Sequence, residues 1–309
     1  MILALDMGGT KVAAAVFTPD GKLLEKTFTK EETGQDKNAE ELFEACAHVL
    51  KKASQGYDIQ GIGIGCAAPI DIFEGTVSPL NLKAWRKFPL KARVQELFPG
   101  VPVKLHTDGT CIALGEHWKG AGQGVKDMMA MVVSTGVGGG LILNGKPYDG
   151  ASGNAGHVGH IEVAGFEDVP CVCGGAGCLE MLCSGPHTVQ WAIDQGWRKG
   201  QDTSTLTGED LTNDAKAGDK IAVSAFNRAG TALGRAIASA MALIECEKVV
   251  ISGGFASAGD LLFEPARKAM IRKNMKFVDV PIVPSTLDGY GPITGVAALI
   301  GTQDQSLLD

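Results

Sequence analysis

The stretch ILALDMGGTKVAAAVF, residues 2–17, decides the fold class, because two apolar runs flank a glycine pair within it. The runs at 2–5 and 12–17 predict two strands, and Gly8-Gly9 predicts the tight turn that joins them. The same order of strand, glycine-rich turn and strand comes back at 128–144, in MMAMVVSTGVGGGLILN. This duplication predicts two related α/β lobes that hold a ligand between them.

The rest of the chain alternates predicted helices and strands, as an α/β fold requires. The segment 39–53 has one apolar face at helical spacing, and two lysines near its end suit a helix C-terminus. Further strands are expected from about Leu23 and at 59–66, 101–105 and 249–251, and further helices at 111–118 and 219–246.

Composition excludes several classes of protein. Glycine accounts for 42 of the 309 residues, roughly twice its usual share of about 7%. No three-residue glycine period is present, which excludes collagen, and 45% hydrophobic against 20% charged residues excludes a disordered chain. We therefore expect the glycine excess to lie in turns and ligand-binding loops.

Charge and hydropathy limit the partners. The net charge is −7 and no long basic run is present, which disfavours binding to nucleic acid. No run of about 20 apolar residues predicts a membrane span, and the first residues do not have the pattern of a signal peptide. These features predict a cytoplasmic globular protein.

Three glycine turns are candidate contacts for phosphate or nucleotide. Glycine lets backbone N–H groups approach an anion, and a threonine adds a hydroxyl donor. Asp6 ends the strand before the first turn, where a carboxylate can hold Mg²⁺ directly or through water. A plain glycine hairpin is the alternative for this turn. The candidates are Gly8, Gly9, Thr10 and Lys11 in the first turn, Thr135, Gly136 and Gly138 in the second, and Gly253 and Gly254 in the third, which suits the sugar or base of a nucleotide.

A cysteine cluster predicts a structural zinc site. His160 is followed by Cys171, Cys173 and Cys178, with glycines between the cysteines. Three thiolates and an imidazole suit tetrahedral Zn²⁺, and four protein ligands leave no open position for hydrolytic chemistry. Reduced cysteines without a metal are the alternative. The remaining cysteines stand in apolar settings and are interpreted as core residues, namely Cys46, Cys66, Cys111, Cys183 and Cys246.

Asp108 follows the predicted strand at 101–105 and precedes a predicted helix. Ligands of α/β sheets bind at such strand ends, so this carboxylate is a candidate acceptor for the proton of a sugar hydroxyl during phosphoryl transfer. An N-cap for the following helix is the alternative. The sequence leaves both interpretations open.

Taken together, these motifs resemble those of the ROK family of bacterial sugar kinases and repressors. The resemblance covers nearly the whole chain. It rests on DMGGTK at 6–11, STGVGGG at 134–140, GHVGH at 156–160, CVCGGAGCLE at 171–180 and SGGF at 252–255.

The resemblance implies an α/β, two-lobed actin/hexokinase-like ATPase fold with mixed sheets, in which sugar and ATP bind in the cleft between the lobes. It implies a smaller lobe of residues 1–118 and 291–309 and a larger lobe of 119–290 that carries the zinc loop. It assigns the zinc ligands to the four residues named above and the general base to Asp108. Sugar contacts would fall on His160 and Glu180, and zinc would fix the loop that presents them.

Two positions depart from the family pattern and bear on the sugar. Thr107 stands where the family has asparagine, and a hydroxyl has fewer donors than an amide. His157 stands where glucokinase-like members have a glutamate that grips sugar hydroxyls. A histidine here is similar to bacterial N-acetylmannosamine kinases, whereas 262–267 is more similar to actinobacterial glucokinases. His157 has the further alternative of a hydrogen bond within its own loop.

The resulting prediction is an ATP-dependent, Mg²⁺-requiring kinase for the 6-hydroxyl of a hexose or N-acylhexosamine. N-acetylmannosamine is the first choice of substrate and glucose the second, and the resemblance implies a homodimer or homotetramer. A repressor is disfavoured, because the first strand starts at Ile2 and leaves no room for a helix-turn-helix. A sugar-responsive regulator without catalysis and a kinase that uses polyphosphate are the remaining alternatives.

Overall fold

The computed structural model of the protein describes residues 1–34, 37–80, 82–287 and 289–301, which form two compact units and two five-stranded sheets. Of the described residues, unit 1 contains those of Met1–Lys126, Gly140–Gly156 and 286–301, and unit 2 contains those of Asp127–Gly139 and His157–Ser285. The strands are β1 (Ile2–Met7), β2 (Lys11–Phe17), β3 (Thr29–Glu32), β4 (Gly61–Cys66), β5 (Ile70–Asp71), β6 (Thr76–Val77), β7 (Val103–Thr107), β8 (Met128–Val133), β9 (Val137–Leu143), β10 (Lys146–Pro147), β11 (Lys248–Ser252) and β12 (Ile282–Pro284). The helices are α1 (Ala39–Ser54), α2 (Leu90–Leu97), α3 (Asp108–Lys119), α4 (Leu179–Cys183), α5 (Gly185–Asp194), α6 (Gly208–Lys216), α7 (Lys220–Ile244), α8 (Asp260–Met270) and α9 (Gly291–Gly301).

The sheet of unit 1 brings three strand ends to one edge. Its order is β3-β2-β1-β4-β7, with β1 antiparallel to β2 and parallel to β4, and β4 parallel to β7. Met7 lies opposite Cys66, and Cys66 lies opposite Thr107, so the carboxyl ends of β1, β4 and β7 are level. Asp6 and Asp108 therefore belong to the same edge of the sheet.

Helix α1 forms where the sequence predicts it. Asn38 accepts hydrogen bonds from the N–H groups of Glu40 and Glu41, and the Glu41 side chain accepts one from the N–H of Asn38. This capping box satisfies N–H groups that have no partner within the helix. The apolar face of α1 is buried and includes Leu42, Ala45, Cys46, Val49 and Leu50.

Glycines in β4 and α9 allow close packing in unit 1. A Cβ atom on Gly63 would lie 2.2 Å from the carbonyl oxygen of Val296 in α9. A Cβ atom on Gly295 in α9 would lie 2.0 Å from the carbonyl oxygen of Cys111 in α3. Helix α9 thus packs against β4 and α3 at distances that only glycine permits. The expectation that the glycine excess lies in turns and ligand loops is wrong for these residues, because their role is packing.

Unit 2 is built on a parallel set of strands and one long helix. Strand β8 lies between β9 and β11 and is parallel to β11, which is parallel to β12. Helix α7 has 25 residues, and Asp219 caps its first turn by accepting from the N–H groups of Ile221 and Ala222. Cβ atoms on Gly230 and Gly234 would lie 2.4 and 2.1 Å from carbonyl oxygens of α8, so these two helices also depend on glycine to pack. None of the helices in the described ranges is long and apolar enough to cross a membrane.

Two predicted elements begin elsewhere than expected. The strand expected from about Leu23 begins at Thr29 as β3, and Leu23 makes only an isolated bridge with Phe17. The helix expected at 111–118 begins at Asp108, because Thr107 has an extended backbone and caps it. The remaining predicted elements are present with ends shifted by a few residues.

Unit 1 contains residues 119–126, Gly140–Gly156 and the described residues of 286–290, all of which the sequence assigned to the larger lobe. Within that unit, a Cβ atom on Gly140 would lie 2.3 Å from the carbonyl oxygen of Gly109, so the backbone there packs directly against α3. Asp149 pairs with His106 at 3.1 Å, between a carboxylate oxygen and Nδ1. Contacts between residues this far apart in the chain leave no local sequence signal.

Candidate active site

Two carboxylates lie at the shared edge of the unit 1 sheet. Asp6 is the sixth residue of the chain and lies opposite Gly65, near the end of β1, whereas Asp108 follows the last residue of β7. Burial, and then the negative charge of Asp108, raises the pKa of Asp6 to about 7. Desolvation by the surrounding protein also raises the pKa of the Asp108 carboxyl, although part of its side chain remains exposed to solvent. Two like charges at a partly desolvated edge favour binding of a cation or a proton there.

Thr107, and not Asp108, caps helix α3. The Thr107 hydroxyl accepts a hydrogen bond from the N–H of Thr110 at 3.1 Å and donates one to the Thr110 hydroxyl at 3.0 Å. Oδ1 of Asp108 accepts from the N–H of Gly109 at 2.8 Å, and no other residue that the structure describes donates to this carboxylate. The alternative that Asp108 is the N-cap of α3 is therefore not observed, because Thr107 occupies that position. Thr107 is buried, and both of its hydroxyl contacts are within the helix.

The first glycine turn leaves donors available. It is closed by a 2.9 Å hydrogen bond from the N–H of Gly8 to the carbonyl of Lys11, and Thr33 donates to the carbonyls of Gly9 and Thr10. Within the described part of the chain, the N–H groups of Gly9 and Thr10 have no acceptor. The side chains of Thr10 and Lys11 are exposed. The turn can therefore offer N–H, hydroxyl and ammonium donors to an anion.

The second turn, residues 134–137, is held at both ends in unit 2. The N–H of Ser134 donates to the carbonyl of Gly136 at 2.9 Å, and the carbonyl of Ser134 accepts from the N–H of Gly185 at 2.8 Å. The N–H of Val137 donates to Oε2 of Glu180 at 2.9 Å. The N–H groups of Thr135 and Gly136 have no acceptor in the described ranges. Gly138, in contrast, lies in β9 beyond the turn.

A cavity of about 660 Å³ opens beside this turn in unit 2. Thr135 and Gly254 both line it, so the structure brings the second and third glycine turns to one place. Gly253 has a φ of +108°, and a Cβ atom there would lie 2.4 Å from the carbonyl of Val133, so glycine is required at this position. The volume fits a ligand of nucleotide size. Other lining residues are Ser134, Gly185, Pro186, Val189, Leu206, Thr207, Gly208, Glu209, Thr212, Asn213, Lys216, Phe255 and Ser257.

The four predicted metal ligands converge in unit 2. Their ligand atoms all lie within 4.8 Å of one another, with Nδ1 of His160 3.7 Å from Sγ of Cys171 and the Sγ atoms of Cys173 and Cys178 3.6 Å apart. Tetrahedral Zn²⁺, with Zn–S of about 2.3 Å and Zn–N of about 2.0 Å, requires S···S of about 3.8 Å and S···N of about 3.6 Å. The donor set and its spacing fit a zinc ion.

The two remaining predicted sugar contacts, His157 and Glu180, differ in their surroundings. The imidazole of His157 is exposed, and its ring centre lies 6.0 Å from that of His160. Among the described residues it makes no hydrogen bond, so the alternative of a bond within its own loop is not observed. Glu180 is half-buried and has one carboxylate oxygen bound to the second glycine turn.

Sequence reasoning missed two polar links within unit 1. The side chain of Asn154 accepts from the N–H of Ile70 at 3.0 Å and donates to its carbonyl at 2.7 Å, as a strand partner would. His106, two residues before Asp108, pairs with Asp149. Both links join segments that are distant in sequence. In β7, VKLHT, His106 alternates with buried residues and shares the less buried face with Lys104, so its position in the strand does not indicate the pairing.

Comparison with known proteins identifies the family. The model of the ROK family matches residues 2–303. Glucokinase from Halalkalibacterium halodurans is 33% identical over 280 residues, covering 86% of this chain and 84% of that protein, and glucokinase from Thermotoga maritima is 31% identical, covering 97% and 96%. The crystal structure of a ROK family glucokinase from Streptomyces griseus, in complex with glucose and AMPPNP, aligns with a TM-score of 0.81 and 30% identity over 96% of this chain and 98% of that chain.

These findings confirm the predicted fold class, an α/β fold of two lobes with mixed sheets like that of hexokinases. The chain belongs to the ROK family.

Proposed function

We propose that the protein is an ATP-dependent kinase that phosphorylates the 6-hydroxyl of a hexose or N-acylhexosamine. The observation that carries this proposal is the position of Asp108. Its carboxyl follows β7 at the edge where Asp6 also lies, its side chain is exposed, and the neighbouring Thr107 performs the helix cap in its place. Apart from the N–H of Gly109, no described residue donates to this carboxylate, and a carboxylate at such an edge is suited to a reacting hydroxyl.

Asp108 serves as the general base in this proposal. It accepts the proton of the sugar hydroxyl as the oxygen attacks the γ-phosphorus of ATP, and the bond from that phosphorus to the leaving oxygen of ADP breaks. Its raised pKa makes it a stronger base than an ordinary aspartate. General-base help of this kind is typically worth about 10²–10⁴-fold in rate.

Asp6 and the first glycine turn would bind Mg²⁺ and the negatively charged phosphates. Asp6, alone or through water, would hold Mg²⁺, which supplies neutralisation of phosphate charge when bound. Cation binding would also keep the Asp6 carboxyl ionised, although its own pKa lies at about 7. The N–H groups of Gly9 and Thr10 and the side chain of Lys11 would donate to phosphate oxygens.

The nucleotide would bind in unit 2. The N–H groups of Thr135 and Gly136 would bind phosphate oxygens, and the adjoining cavity of about 660 Å³ would take the adenosine, with Gly254 against it. The resemblance to a kinase structure that contains AMPPNP supports ATP as the phosphoryl donor.

Zinc would have a structural role in unit 2. His160, Cys171, Cys173 and Cys178 fit a tetrahedral ion and would fill its coordination sphere, which leaves no position for a substrate. The loop that they close carries His160 and leads directly into Glu180. Both side chains would thereby be presented to the sugar, as the family resemblance implies.

Two sugars are the candidate substrates. Glucose is favoured by the relatives, since two of them with more than 30% identity over most of this chain are glucokinases. N-acetylmannosamine is favoured by His157, which is exposed and replaces the glutamate of glucokinase-like members. Thr107 is proposed to act indirectly, by capping α3 and so fixing Asp108.

A panel assay tests the proposal and decides the sugar. ADP formation from ATP and Mg²⁺ is measured with glucose, mannose, N-acetylglucosamine and N-acetylmannosamine. A kcat/KM for glucose at least tenfold above that for N-acetylmannosamine supports a glucokinase, and the reverse supports an N-acetylmannosamine kinase. Binding of a sugar without any ADP formation would contradict a kinase and point to a sugar-responsive regulator.

A further inference from the structure

Glu180 lies between the cysteine cluster and the second glycine turn. It is the second residue of α4, and Cys178, one of the four cluster residues, is the N-cap of that helix. On the cluster side, the N–H of Leu179 donates to the carbonyl of Ile161 at 3.0 Å, and the N–H of Met181 donates to the carbonyl of Cys178 at 3.0 Å. The start of α4 is therefore fixed directly by the loop that the cluster closes.

On the other side, Glu180 contacts the turn itself. Its Oε2 accepts the N–H of Val137 at 2.9 Å, and a Cβ atom on Gly136 would lie only 2.6 Å from the same oxygen. The carboxylate thus packs against the turn backbone, and glycine at 136 makes room for it. A hydrogen bond from an N–H to a carboxylate is stronger than one between neutral groups.

The same short segment also holds the other end of the turn. The N–H of Ser184 donates to the carbonyl of Glu180 at 3.1 Å, and the N–H of the next residue, Gly185, donates to the carbonyl of Ser134 at 2.8 Å. Residues 180–185 therefore form hydrogen bonds with the turn at both Ser134 and Val137. The N–H groups of Thr135 and Gly136, which have no acceptor among the described residues, lie between these two attachments.

We propose that Glu180 is a positioning residue that links the metal loop to the phosphate-binding turn, so that metal bound at the cluster strengthens binding of the nucleotide. This inference rests on the proposed function for the identity of the ligand. With Glu180 in place, the N–H groups of Thr135 and Gly136 are held ready for phosphate before the nucleotide arrives. Preorganisation of this kind raises affinity because less freedom is lost on binding.

The inference separates two roles of one carboxylate. A residue that only contacts the sugar would leave nucleotide affinity unchanged when sugar is absent. A residue that positions the turn changes that affinity with no sugar present. Within the described ranges no residue donates a hydrogen bond to Oε1 of Glu180, which could accept one from a sugar hydroxyl, so the two roles are compatible.

The test is the Kd of AMPPNP with Mg²⁺, measured by calorimetry in the absence of sugar. We expect Glu180→Ala to raise this Kd by about tenfold, the order of one lost hydrogen bond to a charged group. Glu180→Gln keeps an acceptor for the N–H of Val137 and should bind AMPPNP nearly as the unchanged protein does. Glu162→Ala is the matched control, because the Glu162 carboxylate also faces the metal loop, at Ala176, but does not contact the turn.

A second arm uses the unchanged protein with its metal removed by a chelator and then restored as Zn²⁺. Removal of the metal should raise the Kd of AMPPNP by a similar factor, and restoring Zn²⁺ should return the Kd to its first value. In the Glu180→Ala variant, removal of the metal should change the Kd of AMPPNP little further. An unchanged Kd in Glu180→Ala, or in folded metal-free protein, would overturn the inference. Should Glu180→Ala not fold, Glu180→Asp, one methylene too short to reach Val137, replaces it with the same expectation. If the unchanged protein binds no AMPPNP, the proposed function fails first.

Discussion

Asp108 is the residue on which the proposed chemistry depends. Asp108→Asn keeps the shape of the side chain but removes the base, and we expect kcat to fall by about 10²–10⁴-fold with little change in sugar or nucleotide affinity. Steady-state kinetics and calorimetry on the variant measure this. Asp58→Asn, an exchange of an exposed aspartate in the same unit, is the control and should retain full activity. A kcat near normal in Asp108→Asn would remove Asp108 from the base role.

The pH dependence follows from the two raised pKa values. The base and the Mg²⁺ site both need ionised carboxylates, so at low Mg²⁺ kcat/KM should fall as the pH falls through about 7, the pKa of Asp6. Saturating Mg²⁺ favours the ionised Asp6 carboxylate and should move this fall to lower pH. The free energy of unfolding depends on pH in the opposite direction. Because the pKa of Asp6 is higher in the folded protein than the ordinary value of 3.8, the free energy of unfolding falls as the pH rises from about 4 to about 7.

Asp6→Asn isolates this effect on stability. The variant should be more thermostable than the unchanged protein at pH 8 without Mg²⁺, by about 2–4 °C, while losing activity. The gain should disappear below pH 4, where Asp6 is protonated in both the folded and the unfolded state. Thermal unfolding scans at several pH values measure it, and a Tm difference that does not depend on pH would contradict the account.

The sequence alone does not decide whether Thr107 or Asp108 is the N-cap of α3. Threonine and aspartate are both good N-caps, so TD at 107–108 does not reveal which one starts the helix. The answer depends on the backbone, since Thr107 has φ −65° and ψ 151° and Asp108 is already helical. The convergence of the cysteine cluster, in contrast, was predictable, because Cys171, Cys173 and Cys178 lie within one short glycine-containing loop.

The metal loop is the element whose prediction is most direct to check. Protein purified without added metal should contain about one zinc per chain, and Cys173→Ser should lose it, together with several degrees of Tm. Cys173 is exposed, so the exchange creates no cavity. Elemental analysis measures the metal. Cys246→Ser, which changes a cysteine outside the cluster, should keep its zinc, and a zinc-free unchanged protein of full stability would remove the site.

Strand β4 offers a test of the packing role of glycine. Gly63→Ala would bring a Cβ atom to 2.2 Å from the backbone of Val296, which cannot move aside without shifting α9. We expect the free energy of unfolding to fall by about 3 kcal/mol, at the upper end of overpacking.

Gly61→Ala on the same face of β4 is the matched comparison, because its Cβ atom would meet the side chain of Ile300 at 2.6 Å and not the backbone. Gly61→Ala should lower the free energy of unfolding by clearly less than Gly63→Ala does. Equal stability of Gly63→Ala and the unchanged protein in denaturant unfolding would contradict the packing role. Turn and packing glycines look alike in the sequence, because the partner of Gly63 lies more than 200 residues further along the chain.

For the whole molecule, the sequence was sufficient to predict the fold class and the order of the motifs. The duplicated pattern of strand, glycine turn and strand appears as β1-β2 and β8-β9. The boundaries of the units were not predictable in the same way. Gly140–Gly156 belongs to unit 1 through contacts such as Asn154 with Ile70, which join residues 84 positions apart.

The central claim, transfer of phosphate from ATP to a sugar 6-hydroxyl, is tested most directly by analysing the product. The protein is incubated with ATP, Mg²⁺ and the preferred sugar of the panel, and the product is examined by ³¹P and ¹³C nuclear magnetic resonance. The account predicts a sugar 6-phosphate formed in equal amount to ADP, and no sugar phosphate from the 6-deoxy form of that sugar. Release of ADP without any sugar phosphate, or phosphate attached at another hydroxyl, would contradict it.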